Sequence, residues 1–150
     1  MSDTALESDI SLPFPIEFLI MDTPRSQQSK NPKAREKWKQ KVGAIAKAHA
    51  NASREFFFID HRVLAVTIFY FSPTAMEGDI DNIVKPILDG MATVIYPNDR
   101  LLERVVAQKF EPGIVFVFRS LTPILEQAIQ AEPPVLYIRI DDDLSWRELA

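Results

Sequence analysis

The chain has 150 residues, 47% hydrophobic and 25% charged, with a net charge of −4, which fits one soluble domain large enough to bury an apolar core. The absence of cysteine excludes disulfides and thiolate metal sites, and two histidines, His49 and His61, not at ligand spacing, argue against a zinc enzyme. The opening MSDTALESDI lacks the basic and apolar regions of a signal peptide, and the longest apolar run, 63–71, is too short to span a bilayer, so a cytoplasmic chain with no membrane partner is expected.

In chain order, residues 1–10 are polar and acidic and read as a flexible tail. Residues 13–21 are apolar with few breaks and read as a first strand. Residues 22–32 (DTPRSQQSKNP) combine turn formers with basic side chains, the mark of an exposed loop. Residues 33–50 read as a helix, with Trp38, Val42, Ile45 and Ala46 on one buried stripe. His49 continues that stripe to the helix end, where a protonated ring would suit the dipole. Residues 62–71, rich in β-branched and aromatic side chains, read as a second strand. A loop over 72–78 leads to a helix opening near Asn82, with an apolar face of Ile83, Val84, Ile87, Leu88 and Met91. Pro86 is tolerable so near the helix start, and Gly90 weakens the end.

YPND at 96–99 makes a turn before a third strand over 102–111. Pro112-Gly113 favours a type II turn, from which 114–119 returns as a fourth strand. Thr122-Pro123 is an N-cap and N1 pair opening a helix to about residue 131, and 135–140 is the last strand. Asp141-Asp142-Asp143 reads as a solvated tail. The runs Phe56-Phe57-Phe58 and Phe69-Tyr70-Phe71 read as core or sheet residues. The order β-α-β-α-β-β-α-β implies an α/β (α+β) single domain over 1–150, a mixed β-sheet packed against helices.

The charge is divided unevenly. Residues 1–23 carry five acids and no base, whereas 24–54 carry nine bases and one acid, a net +8. Phosphate binding answers to the local field of such a face, so Arg25, Lys30, Lys33, Lys37 and Lys41 are candidates for contact with a nucleic-acid backbone. A solvated lysine face is the plainer reading. Further along, Asp79-Ile80-Asp81-Asn82 is followed by Lys85 and, after a turn, by Asp99. If the backbone there is extended, Asp79 and Asp81 point the same way. With Asp99 they would form an all-oxygen cage suited to Mg2+ or Mn2+. Lys85 would add a fixed positive charge, and the set would suit phosphodiester hydrolysis. The same residues also read as a helix start whose acids complement the macrodipole, and Asp81, Lys85 and Asp89 as an exposed ion-pair ladder. The chain has no nucleophile elbow, P-loop or dinucleotide fingerprint.

GDIDNIVKPILDGM followed by NDRLLERVVAQK resembles the RusA family of Holliday junction resolvases, endodeoxyribonucleases of bacteria and their phages. The family pattern falls on Asp79, Asp81, Asn82, Lys85, Asp89, Asp99 and Lys109, and the match extends over about 62–111. The resemblance implies a small α/β homodimer that binds branched DNA at four-way junctions. It implies Mg2+-dependent nicking of two strands at symmetric positions, in DNA recombination and repair. By the same resemblance Asp79, Asp81 and Asp99 are the essential, metal-holding carboxylates, and Lys85 is the base or charge stabiliser. The family turn usually has two adjacent acids where this chain has Asn98-Asp99, and 113–134 looks like an added strand and helix. Asn98 supports an alternative, a catalytically weak nucleic-acid-binding module of the same fold.

Overall fold

The computed structural model describes residues 14–52, 58–59 and 61–147, so the expectations for residues 1–10 and for Phe56 and Phe57 lie outside the described residues. The elements are β1 (Ile16–Ile20), α1 (Pro32–Ala52), β2 (Leu64–Phe71), α2 (Asp81–Met91), a 3-10 turn (Asp99–Leu101), β3 (Leu102–Phe110), α3 (Pro123–Gln130) and β4 (Val135–Asp141). The four strands form one mixed sheet in the order β1-β4-β2-β3. β4 is antiparallel to both its neighbours, whereas β2 and β3 run parallel, a pairing that needs a crossover, here supplied through α2. No helix among the described residues is long and apolar enough to cross a membrane.

The strands alternate between two cores. Ile16, Phe18 and Ile20 of β1, Val66, Ile68 and Tyr70 of β2, and Leu136, Ile138 and Ile140 of β4 pack with α1 and α2. The intervening residues Leu19, Phe69, Phe71, Val135 and Tyr137 face a second cluster with Leu125 and Ala128 of α3. Because both faces are covered, β2 and β4 are buried almost throughout. On α1 the buried stripe is Trp38, Val42, Ala46 and Ala50, spaced every fourth residue, while the predicted Ile45 lies half-buried at its flank.

The expected strand over 114–119 does not form. Phe116 and Phe118 alternate inward, but they pack on the face of the sheet instead of extending it. Phe116 lies 4.6 Å from the Phe110 ring and Phe118 5.6 Å from Phe69. Aromatic packing thus lifts the segment out of register with β3, and Val115 and Val117 project into solvent at 94% and 90% exposure. The other expectations for this stretch hold. Gly113 takes the positive φ of 85° that a type II turn requires, and the Thr122 side chain accepts the Leu125 amide at 3.1 Å to cap α3.

α1 and α2 meet backbone to backbone. A Cβ on Gly90 would lie 2.8 Å from both the Lys39 carbonyl oxygen and the Val42 Cβ, and one on Gly43 would lie 2.8 Å from the Gly90 carbonyl oxygen. Gly90, which costs helix propensity, is therefore what allows the two helices to cross this closely.

Candidate active site

The site is built where α2 begins, against the loop that precedes α1. Ile80 is helical (φ −59°, ψ −34°), and the Asn82 amide donates to the Asp79 carbonyl at 3.1 Å. The backbone is therefore a turn, and the expectation of an extended Asp79-Ile80-Asp81 is corrected. The residues that would make a good cap sit one place too late or too early: Ile80 occupies the cap, with no side-chain hydrogen bond to the helix. The carboxylates of Asp79 and Asp81 are thus not spent on capping, and both side chains are exposed at the surface.

One turn into α2, Lys85 is held between two acids. Its Nζ lies 2.6 Å from an Asp89 oxygen and 3.2 Å from Asp99 Oδ2. The hydrogen bond to Asp89, and then that to Asp99, hold the ammonium above its usual pKa, so Lys85 is a firm cation. Asp99 is brought to this point by its turn, in which Asn98 accepts the Arg100 amide at 2.9 Å. The second oxygen, Asp99 Oδ1, is buried and has no partner. A buried carboxylate oxygen without a donor is costly, and a bound cation would relieve it.

Asp89, expected to be structural, bridges the two helices. It also faces Lys39 of α1 at 3.5 Å, a contact that the glycine crossing makes possible. Among the described residues no three acidic or histidine side chains stand close enough together to hold a metal. What is assembled is the Lys85–Asp89–Asp99 cluster. Asp81 lies four residues before Lys85, on the same helix face.

The basic segment divides by role. Arg25 and Lys30 line a cavity of about 820 Å³ together with Asp79, Met76 and Tyr70. Lys33 and Lys37 are exposed on α1. Lys41 is paired with Asp22 at 2.8 Å, and that bond holds the Asp22 carboxyl below its usual range. Arg35 is not a surface charge in waiting: it donates to the carbonyls of Gln27 and Ser29, both at 3.2 Å, and fixes the loop. The Gln27 amide in turn donates to the Asn82 carbonyl at 2.7 Å.

A family model, Endodeoxyribonuclease RusA, matches residues 21–117. The chain belongs to the RusA family of endodeoxyribonucleases. The match takes in the basic loop, α1, β2, α2 and β3, and so every candidate site residue, but stops before α3 and β4. No curated protein sequence matches the chain. RusA-family membership makes the chain a nuclease of α/β fold.

Some residues around this candidate site were not legible in the sequence. Tyr96 is fully buried, donates to the Leu88 carbonyl at 3.2 Å, and has its hydroxyl pKa pushed up by burial and then by Asp99 and Asp89 nearby. Its place immediately before the Pro-Asn-Asp turn was the one available signal. Glu111 accepts the Met76 amide and so ties the loop leading to Asp79 onto the end of β3. It also faces Lys109 at 3.6 Å. His49 stacks near Phe18, 5.7 Å between centroids, and burial lowers its pKa. The ring is half-buried at the helix end, as expected, but burial disfavours the protonated form that would suit the dipole. Of the expected solvated tail Asp141, Asp142 and Asp143, only Asp143 is exposed, Asp141 ends β4, and the three bond to Arg139, Arg62 and Ser145 respectively.

Proposed function

We propose that this RusA-family protein is a Mg2+-dependent, structure-selective endonuclease that resolves four-way DNA junctions by paired nicks, in recombination and repair. The observation that carries the reading is the cavity that Asp79, not used as a cap, lines together with Arg25 and Lys30. Two bases, Arg25 and Lys30, and two acids, Glu77 and Asp79, on one open groove suit a site that must both attract a phosphate backbone and hold a cation against it. Asp79, Asp81 and Asp99 would hold Mg2+ or Mn2+, and the orphaned Asp99 Oδ1 fits that donor set. The ion, when bound, supplies charge neutralisation and an activated water.

The remaining chemistry falls to side chains of the chain. Lys85, fixed by Asp89 and Asp99, stabilises negative charge on the phosphate as it becomes pentacovalent. Arg25, Lys30, Lys33 and Lys37 grip sugar-phosphate without reading bases, so selectivity comes from junction shape. A homodimer would present two such sites to a two-fold substrate.

A second reading, a catalytically weak binding module of the same fold, is favoured by the lack of a gathered carboxylate triad among the described residues. One assay separates the two. The protein is incubated with a labelled four-way junction or linear duplex, with Mg2+ or chelator. Paired nicks confined to the junction, and reduced about 100-fold or more in Asp81→Asn with binding kept, support the nuclease. Binding indifferent to metal and without cleavage supports the module. Absence of binding at low salt rejects both.

A further inference from the structure

Pro86 lies inside α2, where a proline has no amide to give. Any other residue at 86 would donate to the carbonyl four residues back, that of Asn82. That carbonyl is instead taken by the Gln27 amide, at 2.7 Å, from the loop before α1. The vacancy that a helix would normally regard as a defect is thus the acceptor by which α2 captures the loop.

The loop is held from its other side as well. Arg35 of α1 bonds the Gln27 and Ser29 carbonyls, so the Gln27 residue is gripped at both its amide and its carbonyl. Within the loop, Ser26 accepts the Gln28 amide at 3.0 Å and Ser29 accepts the Asn31 amide at 3.2 Å. The segment so fixed presents Arg25 and Lys30 to the cavity that Asp79 also lines.

We propose that Pro86 is a positioning residue for substrate: by leaving the Asn82 carbonyl free it lets α2, with Arg35, clamp the 22–31 loop as a fixed wall of the DNA groove. The structural half stands alone, and the DNA half rests on the nuclease reading. A lysine or arginine on a fixed wall contributes to phosphate binding without the ordering cost that a mobile one carries.

Pro86→Ala tests this. Alanine favours a helix interior, so the variant should fold at least as well as the parent. Its new amide would draw the Asn82 carbonyl back into the helix. The Gln27 amide should then exchange with solvent roughly tenfold faster, about the equilibrium worth of one hydrogen bond. For junction cleavage, KM should rise several-fold while kcat is kept. In binding, the slope of log affinity against log salt should become shallower by about one to two, as Arg25 and Lys30 lose their fixed places. Arg35→Gln should produce the same changes, and the double variant little more than either alone, because both hold one loop. Unchanged Gln27 exchange in Pro86→Ala overturns the clamp. Faster exchange with KM and salt slope unmoved overturns the positioning role and leaves the nuclease reading intact. If the parent protein binds no DNA, the nuclease reading and the DNA half fall together, and exchange alone decides the clamp.

Discussion

The two faces of the sheet are covered in different ways. On one face α1 and α2 cross through paired glycines, tie themselves together by ion pairs around Asp89, and reserve their outer ends for exposed acids and bases. On the other, the 114–118 segment is held by aromatic rings, with Phe69, Phe71, Phe110, Phe116 and Phe118 all within contact of one another or of Tyr137. There α3 adds Leu125 and Ala128 and ties its Thr122 cap to the buried Glu17, which Tyr137 also bonds. The RusA match contains all of the first covering and only the beginning of the second. Close backbone approach fixes charged groups at defined positions along two helices, which a site needs. On the second face the fixed polar groups, the buried Glu17 and Tyr137 with the half-buried Thr122, are turned to holding the fold. On the proposed function the first face is the working one and the second its support.

The largest expected effect tests the supporting role. Leu125 of α3 is buried in the aromatic cluster, and Leu125→Ala should cost about 2–5 kcal/mol by leaving a cavity. Urea denaturation should show that loss. Junction binding and cleavage, corrected for the folded fraction, should be unchanged. A fall in activity per folded molecule would break the division between faces.

A smaller loss with a functional consequence is expected on the working face. Gly90→Ala sets a methyl 2.8 Å from the Lys39 carbonyl oxygen and Val42, an overpacking that typically costs about 1–3 kcal/mol. It should also part Lys39 from Asp89 and loosen the hold on Lys85, so cleavage per folded molecule should drop. Gly78→Ala, where an added Cβ meets nothing within 4 Å, supplies the control and should be near neutral in stability. Equal stabilities for the two variants would remove the close crossing from the account.

What the sequence made legible follows the same division. Periodicity located α1 and α2, the Thr122 cap located α3, and apolar, β-branched runs located all four strands, of which β2 and β4 are buried on both faces. The motif residues Asp79, Asp81, Lys85 and Asp99 were named from their spacing, and Lys85 and Asp99 do meet. The failures arose where local pattern and tertiary packing part company. The alternation at 114–119 is that of a strand, but rings that can rest on a sheet face have no need to extend its edge. Ion pairs such as Lys41–Asp22 and Lys39–Asp89 join residues far apart in sequence, so which cations are free could not be read from composition. Pro86 was tolerated as a near-terminal proline, and its partner Gln27 lay on another element.

The smallest effect separates the faces by pH. His49 of α1 packs near Phe18 on the working face, and burial holds its pKa below 6.5 in the folded protein. The unfolded chain, with an ordinary histidine, takes up a proton first as pH falls through 6.5. The stabilisation is therefore complete above that value and is lost progressively below it, towards the folded pKa. Denaturation midpoints of the parent and His49→Gln, measured at pH 7.5 and 5.5, should show the larger acid loss in the parent. Carboxylates common to both cancel in the difference. Parallel losses would place the acid sensitivity elsewhere, and would mean that the ring gains as much from its surroundings when protonated as burial takes away.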